Sequence, residues 1–122
     1  MGRGVLIVDD HAAIWDILAL KFNAQGFDVH EASNGAEGVS RAEELRPDVI
    51  ILDLSMPVVN GFEAARALKL SMPGVPLLMF TNTVGQFVRQ EALAIGIASV
   101  FSKSDSCDLL VEDAKTRLGI LG

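Results

Sequence analysis

The stretch DVIILDL, residues 48–54, decides the fold because apolar residues run without a break between its two aspartates. A strand with one face in water alternates apolar and polar side chains, whereas a strand covered on both faces carries a continuous apolar run. Cover on both faces is typical of parallel sheets, whose crossover helices lie on either side. Residues 48–54 are therefore predicted to form a buried strand of a parallel sheet.

Short apolar runs recur on both sides of this strand, and longer segments with helical spacing separate them. The runs predicted as strands are GVLIV (4–8), FDVHEA (27–32), VPLLMF (75–80) and IASVFS (97–102). The predicted helices cover residues 12–25, 34–45, 61–70, 84–95 and 105–118, and Gly26 and Gly96 end two of them. Five strand–helix units in succession predict the α/β class, with a five-stranded parallel sheet, right-handed crossovers and helices on both faces.

The apolar residues of the helices predict which faces are buried. In the first helix Ile14, Leu18 and Phe22 recur at four-residue spacing, with Ile17 beside them. In the last helix the residues expected to point inward are Leu109, Leu110, Ala114 and Leu118. Phe87 and Val88 of the fourth helix fit either the core or a surface for a partner, and the sequence leaves that choice open.

Composition limits the classes of function. The chain has 122 residues, which suit a single domain over residues 1–122, and its formal net charge is −6. An acidic surface repels phosphate backbones, so we expect no nucleic-acid binding by this domain alone. Cys107 is the only cysteine, and the N-terminal apolar run is too short for a signal peptide or a membrane span. We therefore expect a cytoplasmic protein that does not bind a membrane.

Charged and hydroxyl residues follow the predicted strands at the point where each strand ends. Asp9 and Asp10 end the first strand, Asp53 ends the third, Thr81 follows the fourth and Lys103 follows the fifth. The carboxyl ends of parallel strands share one edge of the sheet, and ligands bind at that edge where the strand order reverses. We therefore expect these five side chains to lie close together.

Carboxylates gathered in this way need cations. Two unit charges about 4 Å apart repel by about 4 kcal/mol at an effective dielectric constant of 20. Lys103 supplies one cation, and a hard divalent ion with oxygen ligands, such as Mg²⁺, is the expected second. A site loaded in this way suits a phosphoryl group, with one carboxylate as nucleophile. Aspartates after strands also serve as helix caps, but capping does not explain Thr81 and Lys103 at the same edge.

These residues resemble the receiver domain of bacterial two-component response regulators. The resemblance covers essentially the whole chain and rests on VDD (8–10), ILDLSMPVVNG (51–61), the threonine of MFTN (79–82) and the lysine of VFSKS (100–104). It implies a flavodoxin-like, doubly wound sheet with strand order 2-1-3-4-5 and five helices. It also implies phosphotransfer signalling with Mg²⁺ as cofactor and no metabolic enzyme activity, at most self-phosphorylation and dephosphorylation at Asp53.

The resemblance assigns a role to each residue of the set. Asp53 would accept a phosphoryl group from the phosphohistidine of a sensor histidine kinase or a phosphotransfer protein. Mg²⁺ would be bound by Asp10 directly and by Asp9 mostly through water, together with Asp53 and the backbone carbonyl of Ser55. Lys103 would pair with Asp53 and then with phosphate, and Thr81 would turn its hydroxyl towards the phosphoryl oxygen. The resulting shift would alter the face formed by helix four, strand five and helix five, which would contact a downstream effector or a second copy of the chain.

Several positions depart from the family pattern or carry a second interpretation. The aromatic residue expected three positions before the lysine is Val100, so the aromatic switch is either missing or displaced onto Phe101. Asn82 is larger than the usual small residue and could restrict or orient an attacking water. The alternative function is therefore a degenerate receiver that acts as a docking or dimerisation module without phosphorylation. His11 is expected to face solvent at the start of the first helix rather than to act as a base.

Overall fold

Five strands form one parallel sheet in the computed structural model, which describes residues 3–56 and 60–120. The strands are β1 (Gly4–Val8), β2 (Asp28–Ala32), β3 (Val49–Leu52), β4 (Leu77–Thr81) and β5 (Ser99–Ser102). Their order across the sheet is β2-β1-β3-β4-β5, and all four neighbouring pairs are parallel. This order and the strand–helix alternation confirm the predicted fold. The segment between the predicted strand 48–54 and the predicted helix 61–70 includes residues 57–59, which lie outside the described residues.

A helix follows each strand. The helices are α1 (Ala12–Ala24), α2 (Gly35–Leu45), α3 (Gly61–Ser71), α4 (Gln86–Ile95) and α5 (Cys107–Arg117). The side chains of Asn34, Asn60 and Ser106 each accept a hydrogen bond from a backbone N–H in the first turn of the helix that follows. Such caps fix where a helix begins, and α5 therefore starts after Ser106 rather than at residue 105 as predicted. The predicted start of α4 at residue 84 is likewise two residues early.

Left-handed glycines follow the ends of α1 and α4, and the strands after them begin later than predicted. Gly26 and Gly96 have φ values of 86° and 103°, which a residue with a Cβ rarely adopts. The next residues, Phe27 and Ile97, donate their backbone N–H to the last helical turn and bury their side chains. These two residues therefore cap helices instead of starting strands, so the predicted starts of β2 at 27 and β5 at 97 are wrong.

The core lies on both faces of the sheet. Ile50 and Leu52 of β3 pack into a cluster with residues of α2, α3 and α4, while Val49 and Ile51 pack with residues of α1 and α5. All four side chains are at most 1% exposed. The unbroken apolar run of β3 thus fills two cores, as predicted from residues 48–54.

Three predicted helix faces need correction or completion. Leu109 of α5 is 58% exposed instead of inward, because the buried face of that helix is formed by Leu110, Val111 and Ala114. Ile17 of α1 is 47% exposed. In α4 the sequence left open whether Phe87 and Val88 belong to the core or to the surface. Val88 is buried, whereas Phe87 is 73% exposed. No helix within residues 3–56 and 60–120 is long and apolar enough to cross a membrane.

Candidate functional site

Backbone hydrogen bonds hold the predicted site residues at the carboxyl edge of the sheet. The N–H of Asp9 donates to the carbonyl of Ala32 at 3.0 Å, and the N–H of Asp53 donates to the carbonyl of Val8 at 2.9 Å. The N–H of Lys103 donates to the carbonyl of Thr81 at 2.9 Å. Each bond extends a strand pairing by one step, so the parallel ladder itself brings residues from four strand ends together.

Lys103 connects the two buried carboxylates. Its Nζ lies 2.8 Å from Asp9 Oδ2 and 3.3 Å from Asp53 Oδ2, and the three side chains are only 3–5% exposed. Asp10 lies at the outer side of the same cluster, with its side chain 34% exposed. The structure therefore brings together Asp9, Asp10, Asp53 and Lys103, which are far apart along the chain.

The carboxyl group of Asp53 is in an environment that disfavours its charge. Burial is the largest cause and raises its pKa, and repulsion from Asp9 raises the pKa further. The ammonium group of Lys103 and the hydroxyl of Thr81 act in the opposite direction but do not cancel these effects. A carboxylate with a raised pKa is more basic, and a more basic oxygen is a better nucleophile.

Thr81 is fully buried at the end of β4, and Ser55 is exposed on the loop after β3. The hydroxyl oxygen of Thr81 accepts a hydrogen bond from the N–H of Thr83 at 3.2 Å, which links the site to the segment leading into α4. Asn82 is exposed beside it. Together with His11, Ala13, Ile14 and Lys103, Asn82 lines an open groove of about 290 Å³ that leads to the charged cluster.

His11 belongs to the site through contacts that the sequence did not predict. Its ring is 57% exposed, yet Nδ1 lies 3.0 Å from Asp9 Oδ1 and 3.0 Å from Asp10 Oδ1. The same nitrogen lies 3.5 Å from Lys103 Nζ. His11 therefore faces solvent at the start of α1, as expected, but its ring also contacts two carboxylates, which the sequence did not predict. Its position directly after two aspartates was the available signal, since the backbone turns at this point and folds the ring back over them.

Val100 and Phe101 lie on opposite faces of the sheet. Val100 packs against the cluster formed with α2, α3 and α4, whereas Phe101 packs against the cluster formed with α1 and α5. Successive side chains of a strand alternate between faces, so Phe101 cannot take the place of an aromatic residue at position 100. The aromatic residue is therefore missing from the α4 side of β5 and is not displaced onto Phe101.

Gly61 allows the first turn of α3 to approach the backbone of Asp53. A Cβ at position 61 would lie 2.3 Å from the carbonyl oxygen of Asp53 and 2.8 Å from the Cα of Leu54. The N–H of Gly61 donates to the carbonyl of Leu54 at 2.9 Å. The glycine thus fixes the chain directly after Asp53, a function that the sequence motif alone did not explain.

The arrangement provides a cluster of ligands for a divalent cation. One atom from each of Asp9, Asp10, His11 and Asp53 lies within 4.8 Å of the others. Carboxylate oxygens are the ligands that Mg²⁺ prefers in proteins. A buried carboxylate, an ammonium group, a hydroxyl and a set of metal ligands together form a site that fits a transferable phosphoryl group.

Comparisons with known proteins agree with this arrangement. The sequence matches the family described as "Response regulator receiver domain" over residues 5–115. The transcriptional regulatory protein LnrK of Bacillus subtilis is 32% identical over 114 residues, which are 92% of this chain and 52% of LnrK. The DNA-binding response regulator MtrA of Mycobacterium tuberculosis is 36% identical over 81 residues, which are 66% of this chain and 35% of MtrA. The chain thus spans about a third to a half of the length of these relatives.

Solved structures give the same result. A structure of the chemotaxis protein CheY4 of Vibrio cholerae superposes with a TM-score of 0.87 at 30% sequence identity. The match covers 95% of this chain and 98% of that one, so the likeness extends over the whole fold. The strand order, the acidic strand ends and the family match over residues 5–115 lead to one conclusion. The chain belongs to the response regulator receiver domain family.

Proposed function

We propose that Asp53 accepts a phosphoryl group from the phosphohistidine of a sensor histidine kinase or a phosphotransfer protein, with Mg²⁺ as cofactor. The observation that carries this proposal is the buried ion-pair bridge in which Lys103 contacts both Asp9 and Asp53. Buried charges cost several kcal/mol each even after relaxation, so a fold retains them at a price in stability. Binding and transfer of a phosphoryl group would account for the retention of these buried charges.

The residues present fit Mg²⁺ by their chemistry. The ion would be held by the carboxylates of Asp9, Asp10 and Asp53 and by the backbone carbonyl of Ser55, all of which supply oxygen. When bound, the ion offsets the negative charge of the site and polarises the phosphoryl oxygens. Because the three carboxylates repel one another, the site gains stability when a divalent cation binds.

The side chains then have separate tasks in the transfer. Lys103 holds Oδ2 of Asp53, so we assign the attack on phosphorus to Oδ1. The new bond joins this oxygen to phosphorus while the bond between phosphorus and the donor imidazole breaks, and the imidazole keeps the electron pair and takes up a proton. Lys103 compensates the charge of the phosphoryl oxygens at close range. The acyl phosphate formed at Asp53 would be shielded from bulk water, because the side chain of Asp53 is only 3% exposed.

The response begins at Thr81 and ends on the face formed by α4, β5 and α5. Thr81 is joined to Thr83 by a hydrogen bond, so a movement of its hydroxyl towards the phosphoryl group would carry the segment leading into α4 with it. Arg89 of α4 donates to the carbonyl of Val100 at 3.2 Å, which couples α4 to β5. Arg117 of α5 donates to Ser99 at 2.8 Å, which couples α5 to β5. A shift of α4 therefore changes a surface that an effector or a second copy could recognise.

The outer face of α1 supports docking of the phosphoryl donor. Ala13, Ile17, Leu20 and Ala24 are exposed along one side of this helix, opposite its buried residues. A helix that is apolar on both sides normally packs against something on both sides. Ala13 also lines the groove that leads to Lys103, so a donor protein bound at α1 would place its phosphohistidine next to the site.

The second candidate, a docking module that works without phosphorylation, is not favoured. Its motivation was the altered switch at Val100 and Asn82, but the charged set itself is complete. The remaining proposals concern the setting of the domain: residues 1–122 form one receiver domain, and it works in the cytoplasm without binding nucleic acid or a membrane by itself. Their support is the family match over residues 5–115 and the single cysteine.

Intact-mass spectrometry tests the proposed function. The chain is incubated with Mg²⁺ and acetyl phosphate, and the wild type should gain the mass of one phosphoryl group. Asp53→Asn should gain nothing, while Asp28→Asn, which changes an exposed aspartate on β2, should behave like the wild type. An unmodified wild type, or equal modification of Asp53→Asn, would overturn the proposal.

A further inference from the structure

We propose that His11 is a metal ligand in the acidic site and that it makes this site favour Co²⁺ and similar ions over Mg²⁺. The inference deepens the proposed function, because it concerns the metal that the same site would hold. It starts from the contact of Nδ1 of His11 with one oxygen of Asp9 and one of Asp10, both at 3.0 Å.

The spacing of these three atoms suits a shared cation. Ligands of small divalent ions lie about 2.1 Å from the metal, so neighbouring ligands of an octahedral ion are about 3.0 Å apart. The two distances from Nδ1 have this value. A cation could therefore bind between Nδ1 and the two carboxylates with little movement of the side chains. The Nδ1 lone pair would go to the metal and Nε2 would keep its proton.

The local structure leaves the His11 ring available for this role. His11 is the residue before α1, yet its side chain caps no backbone N–H of that helix, unlike Asn34 before α2 and Asn60 before α3. Its own backbone N–H donates to Asp9 Oδ1 at 2.9 Å, which holds that carboxylate against the main chain of His11. The ring is half exposed and borders the open groove, so an ion can reach Nδ1 from solvent.

Ligand chemistry then predicts the selectivity. Mg²⁺ prefers oxygen and loses its water reluctantly, so an added imidazole gives it little. Imidazole suits the later first-row metals, and affinity rises from Mn²⁺ through Co²⁺ to Ni²⁺. The carboxylates bind both classes of ion, whereas the nitrogen adds affinity for only one. His11 would therefore set the ratio of the Co²⁺ and Mg²⁺ affinities.

Titration of the untagged chain with Co²⁺ and Mg²⁺ by isothermal calorimetry tests this inference, with Co²⁺ visible absorption as a second readout of nitrogen ligation. The ratio of the two affinities should fall at least about tenfold in His11→Ala and in His11→Gln. Glutamine can still donate a hydrogen bond to the carboxylates but is a poor ligand for Co²⁺. His30→Ala is the matched control, because His30 is the only other histidine and lies on β2. Its ratio and spectrum should equal those of the wild type.

Three results would overturn the inference. A wild-type ratio in His11→Gln would show that the ring only positions the aspartates by hydrogen bonding. Equal weakening of Co²⁺ and Mg²⁺ binding in His11→Ala would show the same, and a Co²⁺ spectrum unchanged by either variant would show that nitrogen is not bound. Failure of the proposed function is a separate result, because it appears as a wild type that acetyl phosphate and Mg²⁺ leave unmodified.

Discussion

Replacing Asp53 by asparagine should stabilise the fold, because the substitution removes a buried charge without changing the shape of the side chain. At an effective dielectric constant of 20, the oxygens of Asp9 and Asp53, within 4.8 Å of each other, repel by about 3.5 kcal/mol or more. Lys103, at 3.3 Å from Asp53, offsets this by about 5 kcal/mol. Because the attraction exceeds the repulsion only slightly, the burial penalty of several kcal/mol per ion makes the charged form of Asp53 destabilising. We expect Asp53→Asn to raise the free energy of unfolding at pH 7 by about 1–3 kcal/mol.

The pH dependence supplies a second signature of the same charge. The pKa of Asp53 is raised in the folded chain, so ionisation of this group destabilises the fold as pH rises from the unfolded-state pKa towards the folded-state pKa. The advantage of Asp53→Asn should therefore be absent in acid, where the carboxyl group is protonated in both states, and complete at neutral pH.

Urea denaturation and thermal melting followed by circular dichroism, without metal and from acid to neutral pH, measure this effect. A gain of 1 kcal/mol corresponds to about 4 °C in Tm for a domain of this size. Asp28→Asn, on the exposed surface of β2, should change stability by less than about 0.5 kcal/mol. A variant that is no more stable than the wild type at pH 7, or an advantage that persists unchanged in acid, would refute the electrostatic reasoning.

Three further substitutions test other parts of the structure. Gly61→Ala should cost more than about 3 kcal/mol in urea denaturation, because its Cβ would lie 2.3 Å from the carbonyl oxygen of Asp53, whereas Gly74→Ala, with open space around it, should cost less than about 1 kcal/mol. Lys103→Ala should cost about 3–5 kcal/mol in metal-free buffer by removing the ammonium group that contacts two buried carboxylates, and Mg²⁺ at ten times its Kd should restore about 1.4 kcal/mol. Asn34→Ala should cost about 1 kcal/mol in thermal melts by removing the cap of α2, and a neutral result would show that the cap contributes nothing.

Much of the fold followed from sequence because pattern and packing agree. The apolar run at 49–52 needs cover on both faces of the sheet, and the helices on the two sides provide it. Element ends were less accurate, since Phe27 and Ile97 look like strand residues but pack beneath the ends of α1 and α4. Apolar character alone does not distinguish a strand start from a capping residue, because both are buried. Leu109 was misplaced for a related reason, since α5 carries apolar residues on more than one side.

The sequence predicted which residues come together at the acidic site, but it did not predict the individual contacts between them. Strand ends of a parallel sheet share an edge, so the convergence of Asp53 and Lys103 follows from topology alone. The contacts of His11 depend on how the backbone turns between β1 and α1, and the role of Gly61 depends on how closely α3 approaches β3. Such details arise from three-dimensional packing and leave no periodic signal in the sequence.

Borohydride trapping tests most directly whether Asp53 is the phosphoacceptor. After treatment with acetyl phosphate and Mg²⁺, hydride reduces an acyl phosphate to an alcohol and releases phosphate, so peptide mass spectrometry should find homoserine at position 53 and aspartate at positions 9 and 10. Homoserine at either of those other positions, or an unreduced Asp53 in a chain that carries phosphate elsewhere, would contradict the assignment.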